Sequence, residues 1–149
     1  MNKTVFILSL LLAISFAIKA QTIEGDSLLS ILGSKVDAPA ANSFITSYDI
    51  KNKNAVKYST TQNGIDMSAR HDSIISINLY PQSSIYGSYT HKLPRGLVFG
   101  DTAGEVTKLL GKATTAYTNS GYSEYAIGNN ILTCWFEKGV LSQVSISLK

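Results

Sequence analysis

The chain of 149 residues has room for one domain, or for two small repeats sharing a core. Its 44% apolar and 15% charged content suits a globular protein and excludes a disordered one. Lys3 and Lys19 supply two of the +3 formal charges, so a chain starting at Gln21 carries 11 basic and 10 acidic residues. Its basic residues are scattered singly and leave no electrostatic footprint for nucleic acid.

Residues 1–20 read as a secretory signal peptide. Lys3 supplies the positive start and Val5 to Ile14 an uncharged apolar run; small residues permit cleavage after Ala20 or after Ala17. The 14 residues from Val5 to Ile18 fall short of the roughly 20 a membrane-spanning helix needs. No Cys follows the run to carry a lipid anchor. The mature protein is therefore expected in the periplasm or the medium, with no membrane span after cleavage. Cys134 is the one cysteine, so no internal disulfide forms. It lies in the apolar run Ile131 to Phe136, where a buried, inert thiol is expected.

Along the chain, Asp26 to Gly33 predicts a first helix, with Asp26 as cap, Leu28, Ile31 and Leu32 on one face, and Gly33 ending it. A second starts at Asp37, tolerates Pro39 in its first turn and carries Ala41, Phe44, Ile45 and Tyr48 at helical spacing. Asp49 to Asn54 reads as a polar loop. Val56 to Thr60, Gly64 to Arg70 and Ser73 to Tyr80 read as strands. Pro81 to Arg95, rich in Ser, Gly and Tyr, reads as a break. Thr102 and Glu105 stand in capping-box spacing before a third helix with Val106, Leu109 and Leu110 on its apolar face. Thr114 to Tyr117, Tyr122 to Ile127, Ile131 to Glu137 and Leu141 to Leu148 complete a β region, with turns at Gly128-Asn129-Asn130 and Lys138-Gly139.

The two halves resemble each other. Leu28, Ile31, Leu32 and Gly33 match Val106, Leu109, Leu110 and Gly111 at a spacing of 78, and Asn63 to Tyr80 matches Asn130 to Ser147 at a spacing of 67. The fold expected is α+β: two tandem repeats, each with one or two short helices on a three- to four-stranded antiparallel sheet. The repeats would span residues 21–82 and 96–149, joined by a linker over 83–95.

A helix ending in Leu-Leu-Gly, introduced by Leu93 to Gly100 (Leu-Pro-x-Gly-Leu-x-Phe-Gly) and followed by an antiparallel meander, resembles a group of small exported bacterial modules. The group includes the β-lactamase inhibitory proteins, the small lipoprotein of the outer-membrane β-barrel assembly machine, and immunity-type proteins. The resemblance implies tandem α+β modules that bind other proteins. This chain lacks the lipoprotein cysteine and the inhibitors' disulfides.

No catalytic constellation stands out. There is no G-x-S-x-G; the nearest string, Gly121 to Tyr125, ends in Tyr. His71 and His91 have no other His or Cys within 15 residues, against the three or four ligands zinc needs. Neither metal, cofactor nor enzymatic activity is expected. Aromatic surface is the stronger signal. Strand alternation turns Leu132, Cys134 and Phe136 toward the helices, and Thr133, Trp135 and Glu137 outward beside Gln143, Ser145 and Ser147. The first half presents Asp66, Ser68, Arg70, Ser76, Asn78 and Tyr80 on the same face, and Tyr86 and Tyr89 come from the break. Trp135, Thr133, Tyr80, Arg70, Tyr86, Tyr89 and Tyr122 are therefore the expected contact residues for an exported or envelope protein. A glycan or small-molecule ligand, or a structural role in the envelope, is the alternative.

Overall fold

A computed structural model of the chain describes residues 23–54, 56–117 and 121–149. The expected signal peptide over residues 1–20 lies outside the described residues. Two short helices, α1 (Ser27–Ile31) and α2 (Pro39–Ser47), precede a meander of β1 (Lys51–Asn54), β2 (Lys57–Ser59), β3 (Ile65–Arg70) and β4 (Ser73–Leu79). A single 3-10 turn (Pro94–Gly96) and α3 (Ala103–Leu110) follow. A second meander closes the chain: β5 (Thr115–Tyr117), β6 (Tyr122–Ile127), β7 (Asn130–Glu137) and β8 (Val140–Leu148).

All eight strands join one antiparallel sheet in the order β1-β2-β3-β4-β8-β7-β6-β5. This corrects the expectation of a separate sheet for each half. The physical reason lies in β4 and β8: each is apolar on the helix side along its length, so neither tolerates an open edge, and each covers the other. Ile77 stands opposite Ile146 and Leu79 opposite Val144, all fully buried. The edges are left to β5 and to β1, whose Lys51 and Lys53 discourage further pairing. Asp49 to Asn54 thus contains a strand where a loop was expected.

The helices lie over the apolar face. Leu28, Ile31, Ala41, Phe44 and Val106 are buried with Ile65, Met67, Ile74, Leu132, Cys134 and Leu141. Each such Leu or Ile contributes about 1.5–3 kcal/mol of transfer free energy. Strand alternation places Leu132 and Cys134 inward, as expected, with Phe136 packed at the margin. Leu109 is 50% exposed, so α3 rests on the core mainly through Val106.

The Thr102 capping box is present, with the Thr102 side chain accepting from the Glu105 N–H and the Glu105 carboxylate accepting from Thr102. These hydrogen bonds hold the Glu105 carboxyl below its usual range. The caps expected of the other helices are absent. Asp26 accepts instead from the Arg95 N–H (2.6 Å), and α2 is capped at Ala38 rather than started by Asp37.

The hairpins β3–β4 and β7–β8 share their irregularities. His71-Asp72 and Lys138-Gly139 both form two-residue loops with positive φ at each position, the geometry that matches strand twist. The register slips between Ser68 and Ala69 in one hairpin and between Trp135 and Phe136 in the other, positions 67 residues apart. The same spacing holds outside the hairpins. The Gly33 N–H donates to the Ile74 carbonyl, and the Gly100 N–H to that of Leu141. Lys35 bridges Ser73 as Thr102 bridges Val140. Gly33 and Gly100 thus make the same contact, and α2 follows the one as α3 follows the other. The spacing of 78 that sets α1 against α3 is not the spacing these contacts share.

Candidate functional site

The side of the sheet away from the helices carries no helix among the described residues. One row crosses all eight strands by direct pairing: Lys51, Ser59, Asp66, Asn78, Ser145, Thr133, Glu124 and Thr115, every one polar. Its centre is hydrogen-bonded. Asn78 Nδ2 donates to Asp66 Oδ2 (3.3 Å), Ser145 Oγ to Asn78 Oδ1 (2.6 Å), and Gln143 Nε2 to Ser145 Oγ (3.1 Å).

The first half fills its own end of this face. Pro81 to Arg95 is a strap pinned to the sheet, rather than a free linker: Gly64 N–H donates to the Tyr86 carbonyl and Tyr89 N–H to the Tyr80 carbonyl, both at 2.7 Å. Gly64 and Gly87 have positive φ, and a Cβ on either would strike the backbone of the segment crossing it. The strap lays Tyr86 on Tyr80, ring centroids 5.2 Å apart and nearly parallel. Lys57 Nζ donates to the Tyr86 hydroxyl (3.0 Å) and lies 3.7 Å from Asp66 Oδ1. Those contacts, Tyr86 first, raise the Lys57 pKa. Asp66 is 8% exposed and its Oδ1 has no hydrogen bond among the described residues, so the ammonium compensates it through space. Burial, with the nearby Asp66 and Tyr86, pushes the Tyr80 hydroxyl up to about 12.

The second half builds its end from a different pair. Tyr122 and Trp135 stand directly opposite on β6 and β7, ring centroids 4.6 Å apart and tilted by 36°. Trp135 is 37% exposed, and Gln143 flanks it on β8. Glu124 and Glu137, each two residues beyond an aromatic, share its face. Among the described residues neither carboxylate makes an ion pair.

Of the expected contact residues, the structure brings Trp135 and Tyr122 together, and separately Tyr80 and Tyr86. Arg70 lies exposed at the β3–β4 tip. Thr133, 9% exposed, sits within the polar row and offers little surface. Tyr89 is a correction: it is 3% exposed and belongs to the core. Its ring stacks on Tyr48, its hydroxyl donates to the Lys92 carbonyl (3.1 Å), and burial raises its pKa. The strap turns it inward two residues after Gly87. Lys57 was missed altogether, because only the pairing of β2 with β3 places it opposite Ser68.

A cavity of about 590 Å³ lies elsewhere, between α1 and the end of the strap, with Gly25, His91, Leu97 and Phe99 in its lining. Its ionisable neighbours lie beside one another: Asp26 with Arg95, Glu24 with His91 and Lys92. Among the described residues no three His, Cys, Asp or Glu side chains form a metal cluster. No described helix is long and apolar enough to cross a membrane. Burial pushes the Cys134 thiol up to about 12.

Fold and site together define an α+β protein with one antiparallel eight-stranded sheet, helices on one face and a polar-aromatic face opposite. No family model matches the chain, and no curated protein matches it. A solved structure is similar to it: a DUF4309 family protein (YjgB) from Bacillus subtilis, 15% identical. The match covers 72% of this chain and 77% of that one, with a TM-score of 0.42.

Proposed function

We propose that this chain is a non-catalytic exported module that binds another protein, in the manner of an inhibitor or immunity protein, through the open sheet face. The observation that carries the reading is the Trp135–Tyr122 pair, a rigid aromatic platform set among hydrogen-bonded polar side chains. Aromatic anchors inside a polar rim are how interfaces concentrate binding energy. A flat row of eight polar residues suits an extended partner better than a small molecule, which needs enclosure.

The chain is also read as two tandem repeats. The shared spacing of 67 supports this, running through the Gly33 and Gly100 contacts, both hairpin loops and both register slips. The central strand pairs support it too: Ile77 with Ile146 and Leu79 with Val144 exchange under the same spacing. Export rests on the leader sequence, and mass spectrometry of the exported protein is expected to show a start at Gln21, or else Ile18. Met1 retained in a membrane fraction contradicts export and release.

The test is capture from envelope and culture-fluid fractions with wild type and Trp135→Ala. A stoichiometric protein complex that the alanine variant weakens by about 2 kcal/mol or more supports the reading. An undiminished complex removes Trp135 from the site. Thermal stabilisation by glycans, with no protein captured, favours the glycan-binding alternative.

A further inference from the structure

We propose that Asn63-Gly64 is a latent deamidation site guarded by the strap, and that its conversion to aspartate or isoaspartate locks the strap open. Asn63-Gly64 is the only Asn-Gly step in the chain. Deamidation begins when the backbone nitrogen after an asparagine attacks that residue's side-chain carbonyl carbon. Glycine permits this approach best, because it has no Cβ to hinder it and its backbone is free to rotate. The Gly64 nitrogen gives its proton to solvent hydroxide and bonds to Asn63 Cγ. The Cγ–Nδ2 bond breaks, and Nδ2 takes a proton from water and leaves as ammonia. Water then opens the succinimide ring at either carbonyl, giving aspartate or isoaspartate with no change of oxidation state.

The fold ties down both reacting groups. The Gly64 N–H donates to the Tyr86 carbonyl (2.7 Å), which shields the proton that the reaction must remove. Asn63 Nδ2 donates to the Tyr48 carbonyl (2.7 Å), and the Asn63 N–H donates to Thr60 Oγ1 (3.1 Å). The two groups therefore have separate partners, one at the end of α2 and one on the strap. Thr60 Oγ1 donates in turn to the Tyr86 carbonyl (3.0 Å), and the Ser88 N–H to that of Gln62 (3.0 Å). Lifting the strap frees the Gly64 amide without unfolding the sheet, since β3 begins only at Ile65. A segment held by a few such bonds opens locally more often than the whole chain unfolds.

The product does not fit the site it leaves. A Cβ on Gly64 would strike the Tyr89 nitrogen and the Tyr80 carbonyl oxygen, so the crossing has no slack. Isoaspartate adds a carbon to the main chain directly before that crossing. Aspartate keeps the main chain but replaces the Nδ2 donor with a carboxylate oxygen, setting acceptor against acceptor at the Tyr48 carbonyl. Either product opposes closure, and Tyr86 is then no longer held on Tyr80. The intact crossing slows the reaction; after the reaction it cannot re-form.

The test incubates the full chain at mildly alkaline pH and follows deamidation at Asn63 by peptide mass spectrometry, with isoaspartate resolved from aspartate. Folded wild type is expected to react at least about tenfold more slowly than the urea-unfolded chain. Tyr86→Ala and Gly87→Ala, which loosen the strap and leave the reacting residues unchanged, are expected to react at least about tenfold faster than wild type. A check free of variants is hydrogen exchange of the Gly64 amide in wild type: urea below the unfolding transition should speed exchange and deamidation together. Asn63→Asp, the aspartate product made directly, should exchange its Gly64 amide at least about tenfold faster than wild type. Wild type reacting as fast as the unfolded chain, or exchange rising in urea without deamidation, overturns the guard. An Asn63→Asp chain whose Gly64 amide exchanges as slowly as wild type overturns the lock.

Discussion

The two halves of the sheet carry the same hairpin, the same loop geometry and the same register slip, yet finish their outer faces differently. The first half closes over itself: the strap brings Tyr86 down on Tyr80, and Lys57 answers Asp66. The second sets Trp135, Tyr122 and two carboxylates on that face, with Trp135 37% exposed. A shared backbone therefore does not dictate a shared surface. Inward positions are constrained alike by packing, whereas outward positions diverge.

The largest effects are expected where the halves meet. Ile77→Asp and Val144→Asp, in corresponding positions of β4 and β8, should each abolish folding, because an unpaired buried carboxylate costs several kcal/mol, comparable to total stability. Circular dichroism melts would show it; a cooperative transition near the wild-type temperature in either variant breaks the single-sheet description. Next comes the strap. Gly64→Ala and Gly87→Ala combine a disfavoured φ with a clash against backbone, and should each cost about 3 kcal/mol. Gly139→Ala, with positive φ but open space around it, should cost about 1–2 kcal/mol. Equal losses at the three sites would mean the strap is not held as described.

Smaller effects separate the helices. Thr102→Ala should cost about 1 kcal/mol through the lost cap, and Ala38→Ser should gain a fraction of that at α2. The Glu105 carboxyl sits below its usual range, so its contribution is present above that range and is lost as pH falls through the lowered folded value. In the opposite direction, Cys134 and Tyr80 have raised folded pKa values of about 12. Their contributions are complete below the ordinary thiol and phenol values and drain away as pH rises toward 12. Native Cys134 should accordingly resist alkylation at pH 8 until denaturant is added; fast labelling of folded protein would contradict its burial.

The sequence carried much of this architecture. Period-two alternation in Ile131 to Glu137 assigned Cys134 and Trp135 to opposite faces, because a strand with one buried side leaves no freedom of register. The Thr102 and Glu105 spacing marked its helix for the same local reason. Pairings between distant segments were not legible. Nothing within β4 or β8 names its partner, so the merging of two meanders into one sheet escaped. So did Lys57, and the inward turn of Tyr89, which depends on two glycines where the strap crosses the β2–β3 connection. The aromatic pair was only half visible. Trp135 stood out by its face, but its contact with Tyr122 follows from strand register.

The contrast between the strapped half and the half that carries Trp135 is tested most directly by denaturant unfolding of Tyr80→Ala and Trp135→Ala side by side. Tyr80 supports the strap through Tyr86, and its removal should cost about 2–3 kcal/mol, near the scale of a buried aromatic truncation. Trp135 gives up a tilted aromatic contact but is 37% exposed, so its removal should cost about 1 kcal/mol. A Tyr80→Ala loss clearly exceeding that of Trp135→Ala is the predicted result. A Trp135→Ala loss equal to or larger than that of Tyr80→Ala would make the tryptophan a structural residue and contradict the account.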